Sequence, residues 1–156
     1  MGDHEFNYAI YPHSDSLSMK TINKSIEFNK YASNTFDIEG KLLTLSPLFK
    51  SQEHNFNMRI SSIKRAEDDS KDSDYSILTK DIKKSKSIVV RVYDPLGGEI
   101  SGVARIGRNL SISRVVLVDN LEMPIEEAEE VEVIEDKEFL INLRAFEIKI
   151  FRVYLA

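Results

Sequence analysis

From residue 41 onward the chain is a run of short apolar stretches, each closed by a turn signal, and this cadence limits the possible folds more than any other feature. The stretches are Lys41 to Leu45, Asn57 to Arg65, Ser87 to Tyr93, Ile100 to Ile106, Ser113 to Val118, Val131 to Ile134, Phe139 to Leu143 and Phe146 to Tyr154, and all have the length of strands. Ile88, Val90 and Val92, and again Phe139, Ile141 and Leu143, alternate cleanly, which puts each set on one face. Pro95-Leu96-Gly97-Gly98 and Gly107-Arg108-Asn109 are the clearest turns, because Gly and Asn accept positive φ. Short strands joined by tight turns predict a mainly β chain folded as an antiparallel sandwich.

The first forty residues read differently. Phe6, Tyr8 and Ile10 alternate with Glu5, Asn7 and Ala9, which predicts a half-buried strand ending where Pro12 withdraws a ladder donor. Those three side chains are expected to fill the sheet core, with Pro12-His13 merely closing the strand. Ser14-Asp15-Ser16 then offers helix caps, and Leu17, Met19, Ile22, Ile26 and Phe28 follow at near-helical spacing. One helix is predicted over about 16–30, its Leu17, Ile22 and Ile26 stripe packed on the chain's own sheet. A strand-like segment that begins after four residues suggests a chain that starts inside a larger protein.

Composition bounds the function. The 156 residues make about one domain, and with 42% hydrophobic and 30% charged residues they can build a core without general disorder. Lys and Arg number 21 against 26 Asp and Glu, so a net charge of -5 gives no global field for nucleic acid. No apolar run reaches the ~20 residues of a membrane helix, and the first residues lack the pattern of a signal peptide. Cysteine is absent, which excludes disulfides, thiolate metal sites and cysteine nucleophiles and fits a cytoplasmic location.

The charge is unevenly spread. Between Glu122 and Glu138 there are nine carboxylates and a single cation, Lys137. Val131 and Val133 alternate there with Glu130 and Glu132, as in an edge strand carrying its charges outward. The 66–86 region is polar: Glu67 to Asp74 is acidic but lacks calcium-loop spacing, and Lys80, Lys83, Lys84 and Lys86 lack aromatic interleaving. A solvated loop accounts for both.

No catalytic motif stands out. His4, His13 and His54 have no second histidine at zinc spacing, and Tyr8 occupies the last position of what would be a His-Glu-x-x-His motif. There is no Gly-x-Ser-x-Gly elbow, and Gly97-Gly98 leads into Glu99 and Ile100 rather than a phosphate loop. Carboxylate pairs are too numerous to mark a glycosidase site.

Five stretches in order carry a resemblance. His4-Glu5-Phe6-Asn7-Tyr8-Ala9-Ile10-Tyr11-Pro12-His13 resembles the His-x-Phe-x-Tyr-Ala-x-x-Pro-His stretch of glycoside hydrolase family 38 α-mannosidases of the bacterial and archaeal kind. Ser61 to Asp68 is similar to the family's Ser-Ala-Leu-Lys-Lys-Ala-Glu-Asp, and Val89 to Pro95 to its Arg-x-Tyr-Asn/Glu-Pro strand and turn. Val116 to Glu122 looks like its Val-Asp-Leu-x-Glu stretch, and Phe146-Glu147-Ile148-Lys149 its closing Pro-Phe-Glu-Ile-Lys-Thr. Ala145 stands in place of the usual Pro and Ile150 in place of Thr, and Lys71 to Lys86 looks longer than usual.

The resemblance runs from about His4 to Val153. It implies that residues 1–156 are the C-terminal β-sandwich domain of a larger chain whose catalytic α/β domain is absent here. The parent would be a zinc-dependent α-mannosidase acting with retention on mannose-containing glycans, with its aspartate nucleophile, zinc ligands and acid upstream. No catalytic, cofactor-binding or metal-binding residue is therefore carried over to this chain, and the fragment alone is expected to be inactive and to hold no zinc. Its partner would be its own catalytic domain. The role left is scaffolding: packing on that domain, holding its loops, walling the substrate cleft, or making a homo-oligomer contact, with Tyr8, Tyr11 and His13 as candidate groups near the wall. The alternative is a stand-alone carbohydrate-binding or protein-interaction sandwich, against which stand the absence of Trp and the placing of Tyr and Phe in strand patterns.

Overall fold

The computed structural model describes residues 5–14, 16–29, 42–49, 56–67, 87–107, 109–126, 128 and 130–156. They fall into two compact units, Met1–Thr35 and Phe36–Ala156. The 68–86 part of the polar region lies outside the described residues, as do His4 and His54.

In the first unit the predicted helix is present as α1, Met19–Asn29. It starts three residues later than the Ser16 expected, because the Ser18 carbonyl accepts the first helical bond from the Ile22 N–H at 3.1 Å. The expected strand is absent. Residues 5–13 form no ladder, and Phe6 and Tyr8 are 83% and 85% exposed. Alternation specifies a strand only where a neighbour supplies the facing ladder. The helix stripe is likewise not buried, since no residue of α1 is. Met19, Ile22 and Ile26 are half-buried, and Leu17 is exposed. Both expectations of core packing are thus corrected.

The second unit holds the sandwich. Its strands are β1 (Leu43–Pro47), β2 (Arg59–Arg65), β3 (Ser87–Tyr93), β4 (Ile100–Ile106), β5 (Ile112–Val118), β6 (Val133–Ile134), β7 (Glu138–Leu143) and β8 (Ile148–Leu155). One sheet has the order β1-β4-β7-β6 and the other β2-β3-β8-β5, with every pair antiparallel. The β3–β4 and β7–β8 turns pass the chain between the two sheets.

One core joins the inner faces. Ile88, Val90, Val92, Phe151 and Val153 from the second sheet pack with Leu43, Ala104, Phe139, Ile141 and Leu143 from the first. The Phe139 and Phe151 rings meet at 5.4 Å between centroids. Ala104 is fully buried in this core, and Gly102 lies two residues before it on β4. A Cβ on Gly102 would lie 2.9 Å from the Phe56 ring and 3.0 Å from the Ser46 carbonyl oxygen, so only glycine lets both approach.

Two inward pairs break the period of two. Ile60 and Ile63 both pack on the core from β2, as do Ile112 and Val115 from β5. In each strand the register slips by one residue between them, at Ile60/Ser62 and at Ile112/Arg114. Each bulge absorbs the odd residue and turns the second side chain back inward.

Candidate functional site

The side chains that stand out lie on the outer face of the β2-β3-β8-β5 sheet. Strand pairing arranges them in rows: Lys64, Val89, Arg152 and Val116; then Ser62, Arg91, Ile150 and Val118; then Arg59, Tyr93 and Ile148. An outward sheet face is ordinarily polar. Here Val89, Val118 and Ile150 are buried with Ala66 in a second, smaller apolar cluster. Ile150, one of the two departures from the family pattern, is part of what fills it.

Two segments arch over that cluster from opposite edges. Asp119 shapes the loop after β5: its Oδ1 accepts N–H bonds from Leu121 and Met123 at 2.8 and 2.9 Å. The loop then folds back, and the Ile125 N–H donates to the Leu117 carbonyl. Glu122, held at φ 64° and with its side chain only 10% exposed, reaches across β8 and β3 to the far edge. Its Oε1 lies 2.5 Å from Lys64 Nζ on β2, and its Oε2 accepts the Glu67 N–H at 3.0 Å. Glu122 first, and then Glu67, hold the Lys64 ammonium above its ordinary pKa.

Cations dominate the rest of the face. Arg152 donates from Nε to Ser87 Oγ at 3.1 Å, and Arg114 and Arg152 both stand about 5 Å from the Tyr154 ring. The Arg91 Nη2 is 3.5 Å from Asn120 Oδ1, and its buried Nε finds no acceptor.

At the corner beyond Tyr93 the β3–β4 and β7–β8 turns are tied together. The buried Asp94 carboxylate accepts N–H bonds from Leu96 at 3.1 Å, Gly97 at 2.8 Å, Gly98 at 2.9 Å and Phe146 at 3.1 Å. Burial opposes its ionisation, but the four donors, led by Phe146, outweigh that and hold its pKa below the ordinary value. Phe146 itself sits at φ 58° with its ring over Gly97, whose own φ is 81°.

Four of the five resembling stretches therefore meet on this one face: Lys64 to Glu67, Val89 to Asp94, Val116 to Glu122, and Phe146 with Ile148. Residues 57–151 match the family described as the glycosyl hydrolases family 38 C-terminal beta sandwich domain. The chain belongs to that family. A yeast protein named alpha-mannosidase, from Saccharomyces cerevisiae, is 38% identical over 99% of this chain. The chain spans only 14% of that relative's length. The match fixes family 38 as a whole, not its bacterial or archaeal branch.

Among the described residues no three His, Cys, Asp or Glu side chains gather in a way that could hold a metal ion, so the zinc of family 38 chemistry has no fitting ligand set here. No helix among them is long and apolar enough to cross a membrane. Tyr8, Tyr11 and His13, the groups singled out from sequence, lie in the Met1–Thr35 unit, where they are exposed and the Tyr11 and His13 rings stack at 6.0 Å. The acidic stretch divides into separate roles. Glu122 clasps Lys64, Glu138 pairs with Arg105, and Val131, ahead of the edge strand β6, and Val133 within it pack on the core.

Composition and periodicity missed the clasp and the role of Asp94, although the glycines marked the Pro95-Leu96-Gly97-Gly98 turn that Asp94 ties. Lys64, Glu122 and Asp94 all lie inside stretches quoted for the resemblance.

Proposed function

We propose that this family 38 sandwich works as the non-catalytic C-terminal part of a zinc-dependent retaining α-mannosidase, scaffolding the catalytic domain and walling its substrate cleft. The observation that carries this is the family match joined to a 38% identical relative named alpha-mannosidase. Zinc and the reacting carboxylates belong, on this reading, to the part of the parent outside these 156 residues. There zinc would polarise and orient sugar hydroxyls. Residues 1–156 as one C-terminal domain, a cytoplasmic location and a homo-oligomeric parent complete the proposal.

Turnover of an aryl α-mannoside tests it. The full-length natural polypeptide with zinc should release mannose, and this chain alone should not. Activity in the isolated chain would overturn the division of labour; inactivity of the whole polypeptide on several α-mannosides would remove the substrate.

A second reading, an independent carbohydrate-binding module, is favoured by one observation. Phe6, Tyr8 and Phe146 are exposed rather than packed in strands, so aromatic faces are open to stack on sugars. Saturable shifts in an NMR titration with mannose oligosaccharides would support it.

A further inference from the structure

The Arg91, Tyr93, Ile148 and Phe146 corner of the outer face has three properties that the sandwich does not use for itself. First, Phe146 combines φ 58° with 68% exposure. A bulky residue at positive φ is strained, by an amount of order 1 to 3 kcal/mol. The strain is maintained by Asp94 and permitted by Gly97, yet it leaves the ring about two-thirds exposed over that glycine. Second, Ile148 is exposed directly opposite Tyr93, and exposed Leu121 and Met123 follow Asn120 on the loop that touches Arg91. Third, Arg91 is half-buried, forms no ion pair with a described residue, and has an Nε–H without an acceptor. A partly desolvated guanidinium beside apolar side chains is matched by a carboxylate. Aromatic and arginine anchors on one face are the composition of an interface hot spot.

We propose that this corner is the docking point for an apolar surface bearing a carboxylate, supplied by the part of the same polypeptide that lies outside these 156 residues. Phe146 is the preformed knob and Arg91 receives the carboxylate. The inference rests on the reading of the chain as one domain of a longer enzyme. In the yeast relative most of the polypeptide lies outside the matched part, and the corresponding part of this protein would present such a surface in cis.

Hydroxyl-radical footprinting of the full-length natural polypeptide, read by mass spectrometry, tests this. In the docked protein Phe146 should be labelled at below about one-tenth of its rate in the same protein unfolded in urea, as befits a buried anchor. An open corner would keep a rate in keeping with its 68% exposure, and that result overturns the proposal. Arg91→Glu should restore labelling of Phe146 severalfold; if that variant does not fold, Arg91→Gln removes the charge with less disturbance. Protection that survives loss of the charge would also overturn it. Protection that vanishes on dilution would assign the corner to a second copy and overturn the partner named here. Turnover of an aryl α-mannoside is followed in parallel. An active enzyme with Phe146 free defeats the docking alone, whereas a protected Phe146 in an inactive protein defeats the mannosidase reading alone.

Discussion

The Asp94 carboxylate accepts the Phe146 N–H at 3.1 Å across 52 residues of sequence, tying the β3–β4 turn to the β7–β8 turn. One buried side chain thereby fixes two inter-sheet connections at once.

Asp94→Asn should destabilise the chain by about 1 to 3 kcal/mol, since an amide cannot accept all four backbone donors as a carboxylate does. Urea unfolding at neutral pH measures it. The pH dependence has a definite sign. The folded pKa is lowered, so the stabilisation is complete above the unfolded value of about 3.9 and is lost as pH falls through the folded value. Asp94→Asn should therefore flatten the acid limb of the stability profile; an unchanged limb would mean that other carboxylates set it.

A double-mutant cycle on Lys64→Met and Glu122→Gln should give a coupling of no more than about 1 kcal/mol, because the lysine side is half exposed and screened by water and salt. Added salt should shrink it. Lys64 is raised above 10.5, so this contribution is complete below that pH and fades as pH rises through the folded value. Of the single variants, Lys64→Met should cost more than Glu122→Gln, because it leaves a nearly buried carboxylate without its cation.

Gly102→Ala should cost about 1 to 3 kcal/mol, the usual range for overpacking. The Phe56 ring can shift, but the Ser46 carbonyl belongs to the β1 ladder and cannot. Combining it with Phe56→Leu should recover only part of the loss. Full recovery in thermal or urea unfolding would show that the ring alone is the obstacle.

Phe139→Ala removes a fully buried ring from between the two sheets and should cost about 3 to 5 kcal/mol, enough to unfold a marginal domain. Loss of amide dispersion in an NMR spectrum would report it directly. Tyr11→Ala, in the other compact unit and exposed, should leave the sandwich spectrum unchanged.

The eight strands were legible because each is a short apolar stretch closed by turn signals, and β3 and β4 have the boundaries the sequence predicts. The period fails at Ser61 and Ser113, where a bulge shifts parity, so sequence shows a strand there but not which side chains face inward. The segment from Phe6 to Ile10 misled for the opposite reason. Its pattern is as regular as that of β7, yet a pattern cannot report whether a partner strand is present. The outer-face clasp was illegible to periodicity altogether, since Lys64 and Glu122 are far apart in sequence and each looks like an ordinary surface charge. Only stretch-by-stretch resemblance marked both.

The two bulges have a further consequence. They sit in β2 and β5, the two edges of one sheet, while the other sheet is bounded by β1, which ends in Pro47, and by β6, which is two residues long. Among the described residues neither sheet offers a long, regular rim of backbone donors and acceptors on which a foreign strand could zip. A neighbour meeting these rims must recognise them through side chains, so its choice is written in residues that point substitutions can alter.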